Sequence, residues 1–174
     1  LDANCEPIHE MLKLYRGEHY KKALAAFDAL PKAIRNTFSG LDLEITVTIK
    51  TGDFDRAQHA IDTIALFFPS WIQPSIARVD LAIAQGALEL PRELRERMVQ
   101  RPERLDLWRA LARYAQAFKQ DHLLFEARGW DALLNGKLEA AKTQLSRARD
   151  AWPQTLDQRP LELLSDAIKQ TATL

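Results

Sequence analysis

Two stretches of this chain repeat one spacing of small and apolar residues, and that spacing leaves few folds open. Gly52 is followed by Phe54, Ala57, Ile61, Ile64 and Pro69, and Gly136 by Leu138, Ala141, Leu145, Ala148 and Pro153. Counted from each glycine, both sets fall at +2, +5, +9, +12 and +17. Steps of three and four keep residues on one face of a helix. Each spacing has a physical use. Glycine suits the left-handed turn that ends a preceding helix. Alanine at +5 lets two antiparallel helices approach, and the residues at +9 and +12 fill the gap toward the next pair. Proline at +17 stops the second helix. The repeated unit is therefore a helix, a tight turn and another helix.

The rest of the chain follows the same punctuation. Prolines at 7, 31, 69, 74, 91, 102, 153 and 160 fall at or near the expected segment ends. The spacing predicts helices over roughly 5–16, 18–30, 34–50, 53–67, 71–85, 91–100, 103–118, 121–135, 137–151 and 160–171. Asp53 and Asp121 are expected N-caps. Only Leu43 to Ile49 alternates like a strand. It is assigned to a helix because it lies one helix-length before Gly52, and packing commonly overrides such local preference.

These offsets resemble the tetratricopeptide repeat, a helix pair stacked in series. On that register one repeat is 38–71 and another 122–155; the second also matches at Phe125 and Gly129. A looser unit, 3–36, surrounds Gly17, where Tyr20, Ala23 and Phe27 run one residue late. Residues 72–121 make a degenerate unit, because Pro91 stands where the small alanine should be. The tail, about 160–171, carries the apolar stripe Leu161, Leu164, Ala167 and Ile168 of a capping helix. The resemblance implies an all-α fold, a right-handed superhelical array of about ten helices, in one domain over 1–174. Residues 107–118 and 122–152 look like the C-terminal repeat region of BepA-like bacterial HExxH zinc metallopeptidases. That likeness implies a periplasmic setting and a role beside a protease in outer-membrane protein assembly or turnover.

Composition narrows the function. Twenty-four basic residues balance twenty-four acidic ones, which disfavours a general nucleic-acid binder. No apolar run approaches the ~20 residues of a membrane-spanning helix. Cys5 is the only cysteine, so neither an intrachain disulfide nor a cysteine zinc site can form; a half-buried thiol is expected there. A start at Leu1 rather than Met is expected of a processed product or excised piece. His9-Glu10 opens a zincin-like string, but Lys13 stands where the second histidine would be needed. No nucleophile elbow, phosphate loop or dinucleotide fingerprint is present. The reading is a non-enzyme with no cofactor or metal.

If the array holds, the first helix of each pair lines a concave groove. Its face would carry Asp42, Thr46 and Lys50, then Gln73 and Asp80, then Glu126, Trp130 and Leu133. These do not match the Lys and Asn clamp with which related domains hold acidic C-termini. An extended or helical segment with apolar anchors fits better; the plainer reading is that these are exposed helix residues. Phe67, Phe68 and Trp71 either fill the joint between helix pairs or leave Trp71 exposed as an anchor, and Trp152 has the same two readings. The expected function is a protein-protein interaction scaffold that binds a protein or peptide segment, including its own protease domain. The alternative is the regulatory or substrate-binding region of a zinc metallopeptidase whose catalytic domain lies elsewhere.

Overall fold

The structure is a computed structural model that describes residues 5–173, with side chains from Glu6 onward. The expectation for the Cys5 thiol lies outside the described residues. Among the described residues there is no strand, and eleven helices follow one another: α1 (Cys5–Arg16), α2 (Tyr20–Asp28), α3 (Lys32–Arg35), α4 (Phe38–Thr51), α5 (Phe54–Phe67), α6 (Gln73–Gln85), α7 (Arg92–Gln100), α8 (Leu105–Ala117), α9 (Asp121–Leu134), α10 (Leu138–Ala151) and α11 (Arg159–Ala172). Neighbours in sequence pack as pairs, which fits an all-α helical-repeat architecture. The sequence reading takes 1–174 as one domain; the contacts gather the chain into two compact units, Leu1–Ala87 and Leu88–Leu174.

In the first unit α1 packs on α2, α4 on α5, and α6 on both members of the second pair. Left-handed residues close the helices at Glu18 (φ 60°), Gly52 (φ 80°) and Gly86 (φ 70°). Their numbers differ by 34 each time. The pattern around Gly17 thus runs one residue late because Glu18, not Gly17, makes the turn. Counted from Glu18, Ala23, Phe27 and Leu30 take the +5, +9 and +12 places, and all are buried.

One helix is split where the sequence predicts continuity over 34–50. Thr37 is extended; its hydroxyl donates to Ile34 O (2.6 Å) and accepts from Gly40 N (3.0 Å), which ends α3 and caps α4. The strand-like Leu43–Ile49 segment is helical, as assigned. Thr46, Thr48 and Thr51 return their hydroxyls to carbonyls four residues back, at Asp42, Glu44 and Val47, while Ile45 and Val47 are buried in two apolar clusters. Arg56 of α5 joins three helices. Its guanidinium donates to Asp28 Oδ1 at 2.6 Å and Glu44 Oε1 at 2.5 Å, and lies over the Phe27 ring. Hydrogen bonding to Asp28 raises its pKa further, so it stays charged.

In the second unit α8, α9 and α10 pack in succession, and α11 lies on α9 and α10. Gly129 permits that closeness, since a Cβ there would stand 2.7 Å from Leu164 Cδ2. Gly136 (φ 72°) closes α9 and donates to Leu133 O at 2.9 Å. Asp53 caps α5 through Arg56 N, but Asp121 does not cap α9. Gln120 holds the cap position without a side-chain bond, and Asp121 lies inside the first turn, where its charge still suits the helix dipole. Among the described residues no helix is long and apolar enough to cross a membrane.

Candidate functional site

Asp42, Thr46 and Lys50 share one face of α4, as i, i+4 spacing requires. Asp42 and Lys50 are exposed and Thr46 is half-buried. The Thr46 hydroxyl is occupied by Asp42 O, and the Lys50 ammonium lies 5.7 Å from the Tyr20 ring centre. The Asp42 carboxylate reaches water, but neighbouring atoms remove part of its hydration and raise its pKa. Gln73 is exposed at the start of α6 and Asp80 half-buried on the same helix.

The corresponding face of α9 is different. Glu126, Trp130 and Leu133 are 1%, 7% and 8% exposed, which corrects their placement as a free groove face. The cause is what packs over them. Glu126 receives both terminal nitrogens of Arg95 on α7, Nη1 to Oε1 at 2.6 Å and Nη2 to Oε2 at 2.8 Å. Such a bidentate pair answers the burial cost of a carboxylate that has almost no water contact. Trp130 stacks on Trp108 of α8, ring centres 4.7 Å apart at 11°. The Trp108 indole N–H is fixed by Pro102 O at 2.8 Å, whereas Trp130 Nε1 is buried without a partner.

These same residues wall a cavity of about 110 Å³ inside the second unit. Trp108, Trp130 and Glu126 line it beside Arg95 and Val99 of α7 and Leu163 of α11. Apart from the ion pair the lining is apolar. Val99 is 65% and Leu163 50% exposed, so the cavity continues into an apolar rim that meets water. Of the residues singled out in the sequence, the structure brings Glu126 and Trp130 together here, while Asp42, Thr46, Lys50, Gln73 and Asp80 lie in the first unit and Leu133 is not in the lining.

Sequence reasoning missed Arg95, Val99, Trp108 and Leu163. Two signals were available. Val99 is an apolar residue in a helix otherwise crowded with charge, and Leu163 lies off the buried stripe of α11. Nothing in the spacing couples Arg95 to a carboxylate 31 residues away. At the start of α9, His122 meets the edge of Trp152, ring centres 5.2 Å apart at 86°. Burial lowers its pKa, and the Arg95 charge lowers it further. Among the described residues no group of three or more His, Cys, Asp or Glu could hold a metal ion. Comparison with protein-family models, with curated proteins and with solved structures finds no match to this chain.

Proposed function

We propose that this chain is a non-catalytic protein-interaction module whose second unit grips an apolar side chain of a partner segment. The observation that carries the proposal is the cavity of about 110 Å³ with its exposed apolar rim. A dry apolar cavity of ~150 Å³ accepts benzene, so this one suits something smaller, the end of a leucine or methionine side chain. Its walls are pre-organised: the tryptophans are stacked and one is tethered, so little ordering accompanies binding. Aromatic and arginine side chains around a water-excluding pocket are also the usual composition of an interface hot spot. Arg95 keeps N–H donors beyond the two that Glu126 accepts, and these can hold main-chain carbonyls of the segment.

The likeness to BepA-like metallopeptidase repeats makes a protease domain in the bacterial periplasm the first partner to try, with envelope protein quality control as the setting. The test is a peptide-display selection against the full chain and against Leu163→Glu, which closes the rim with a charge at an exposed position. Wild type should enrich segments with a leucine- or methionine-like anchor that Leu163→Glu fails to hold. No enrichment, or the same enrichment by both, rejects the proposal.

A further inference from the structure

One polar group in the wall of the second unit's cavity has nothing to bond. Trp130 is 7% exposed and lines the cavity, yet its Nε1 has no hydrogen-bond partner. Among the described residues two other buried side-chain atoms share that condition, Trp152 Nε1 and Gln144 Oε1, and neither residue belongs to the lining. The other polar groups of the wall are engaged. Arg95 and Glu126 hold each other at 2.6 and 2.8 Å, and the Trp108 indole donates to Pro102 O at 2.8 Å. The orphan is a donor, since an indole N–H cannot accept. A ligand that shuts water out without offering an acceptor would leave that donor unpaired, which is costly.

The wall thus sets three conditions on its occupant. Apart from the ion pair the lining is apolar, so the occupant must be apolar over most of its surface. At about 110 Å³ the space is too small for an aromatic ring. The Trp130 N–H asks for an acceptor. Methionine meets all three, being slender and apolar with a thioether sulfur that accepts weakly. Sulfur also packs favourably against aromatic rings, and the stacked Trp108 and Trp130 present two. Leucine and valine would fill the space but leave the indole unpaired. Asparagine and glutamine bring an acceptor together with amide N–H donors that an apolar wall cannot satisfy.

Given the proposed grip on an apolar side chain, on which this rests, we infer that the partner's anchor is a methionine. Its sulfur accepts from the Trp130 indole N–H while its methyl end fills the cavity.

The test is a nitrogen-15 NMR titration of the full chain with three capped amino acids, the N-acetyl N-methylamides of methionine, norleucine and leucine. Norleucine keeps the shape of methionine and replaces sulfur by a methylene. The methionine probe should bind roughly fivefold tighter than norleucine, and it alone should move the Trp130 indole proton downfield. Trp71 of the first unit, stacked on Phe68 at 4.5 Å and 39% exposed, is the control signal and should stay still. Leu163→Glu should abolish the shifts of the cavity pair. Equal or tighter binding of norleucine or leucine overturns the inference and leaves the grip on an apolar side chain standing. Silence of Trp108 and Trp130 with every probe, or shifts that persist in Leu163→Glu, rejects both.

Discussion

The hairpin α4–α5 and the hairpin α9–α10 are built on the same spacing and agree closely where their helices face each other. Ala57 and Ala141 are both fully buried; Ile61 and Leu145, and Ile64 and Ala148, are buried with them. The agreement reaches further than the pattern that revealed it. Fourteen residues before each turn glycine and sixteen after it stand two rings in edge-to-face contact, Phe38 with Phe68 and His122 with Trp152. They clamp the open end of each hairpin. The hairpins part on the outer face of the first helix. On α4 that face keeps Asp42 and Lys50 in water, while on α9 it is covered and walls a cavity. Spacing thus governs contacts within a pair, and the helices beyond it decide what the outer face becomes.

The largest effect expected is common to both hairpins. A glutamate at Ala57 or at Ala141 buries a charge between paired helices and should destabilise the fold by several kcal/mol, on the order of 3–5. Denaturant unfolding checks this; an unchanged midpoint for either variant breaks the equivalence.

The next effect separates the hairpins. Arg95→Met strands the Glu126 carboxylate, which is 1% exposed, and should cost about 3 kcal/mol. Asp42→Ala, on the matching face of α4, should stay within about 0.5 kcal/mol. Equal losses in chemical denaturation would mean that the two faces are alike after all.

Gly40→Ala sharpens the contrast at the start of the first helix. An added Cβ would lie 2.3 Å from Ile34 O and 2.5 Å from Arg35 O. That crowding is against backbone, so a loss of about 1–3 kcal/mol is expected. The matching position of the other hairpin holds Leu124, a far larger side chain. Calorimetric melting of Gly40→Ala decides it, and no loss would mean that α3 does not rest on α4.

Smaller again are the turns. Gly52→Ala has open space around it and suffers only from its positive φ, so about 1 kcal/mol should be lost. Glu18→Gly relieves the same strain and should gain up to about 1 kcal/mol. Opposite shifts in melting temperature confirm the shared turn, and shifts of the same sign contradict it.

The smallest effect is the pH dependence that His122 introduces where the other hairpin has Phe38. Its folded pKa lies below the ordinary 6.5, because burial and Arg95 disfavour the cation. On acidification the unfolded chain takes up the proton first. The contribution is therefore full above about pH 6.5 and declines as pH falls toward the folded value. Melting of His122→Phe should lose this acid-side slope. An unchanged slope would assign it to other groups.

Much of this was legible in the sequence, for identifiable reasons. Ala57, Ile61, Ala141 and Leu145 announce their packing through spacing, because contacts within a hairpin are local. The turn at Glu18 was displaced by one residue, since glycine is the usual mark of a left-handed turn and a glutamate there leaves none. The break at Thr37 was missed although a threonine three residues before Gly40 carries a capping signal. The cavity was half visible. Glu126 and Trp130 were singled out from their face on α9, whereas Arg95, Trp108 and Leu163 arrive from three other helices. Such convergence depends on how α7 and α11 lie, and no local periodicity encodes it.

Four tryptophans make binding at the cavity directly measurable, because they report on different places: Trp71 on the first unit's aromatic end, Trp108 and Trp130 on the cavity, and Trp152 on the second hairpin's ring clamp. The measurement is a nitrogen-15 NMR titration of the indole N–H signals with a peptide selected for binding. Trp108 and Trp130 should shift together as the peptide saturates while Trp71 stays still. Movement of Trp71 with the cavity pair silent would contradict binding at the cavity.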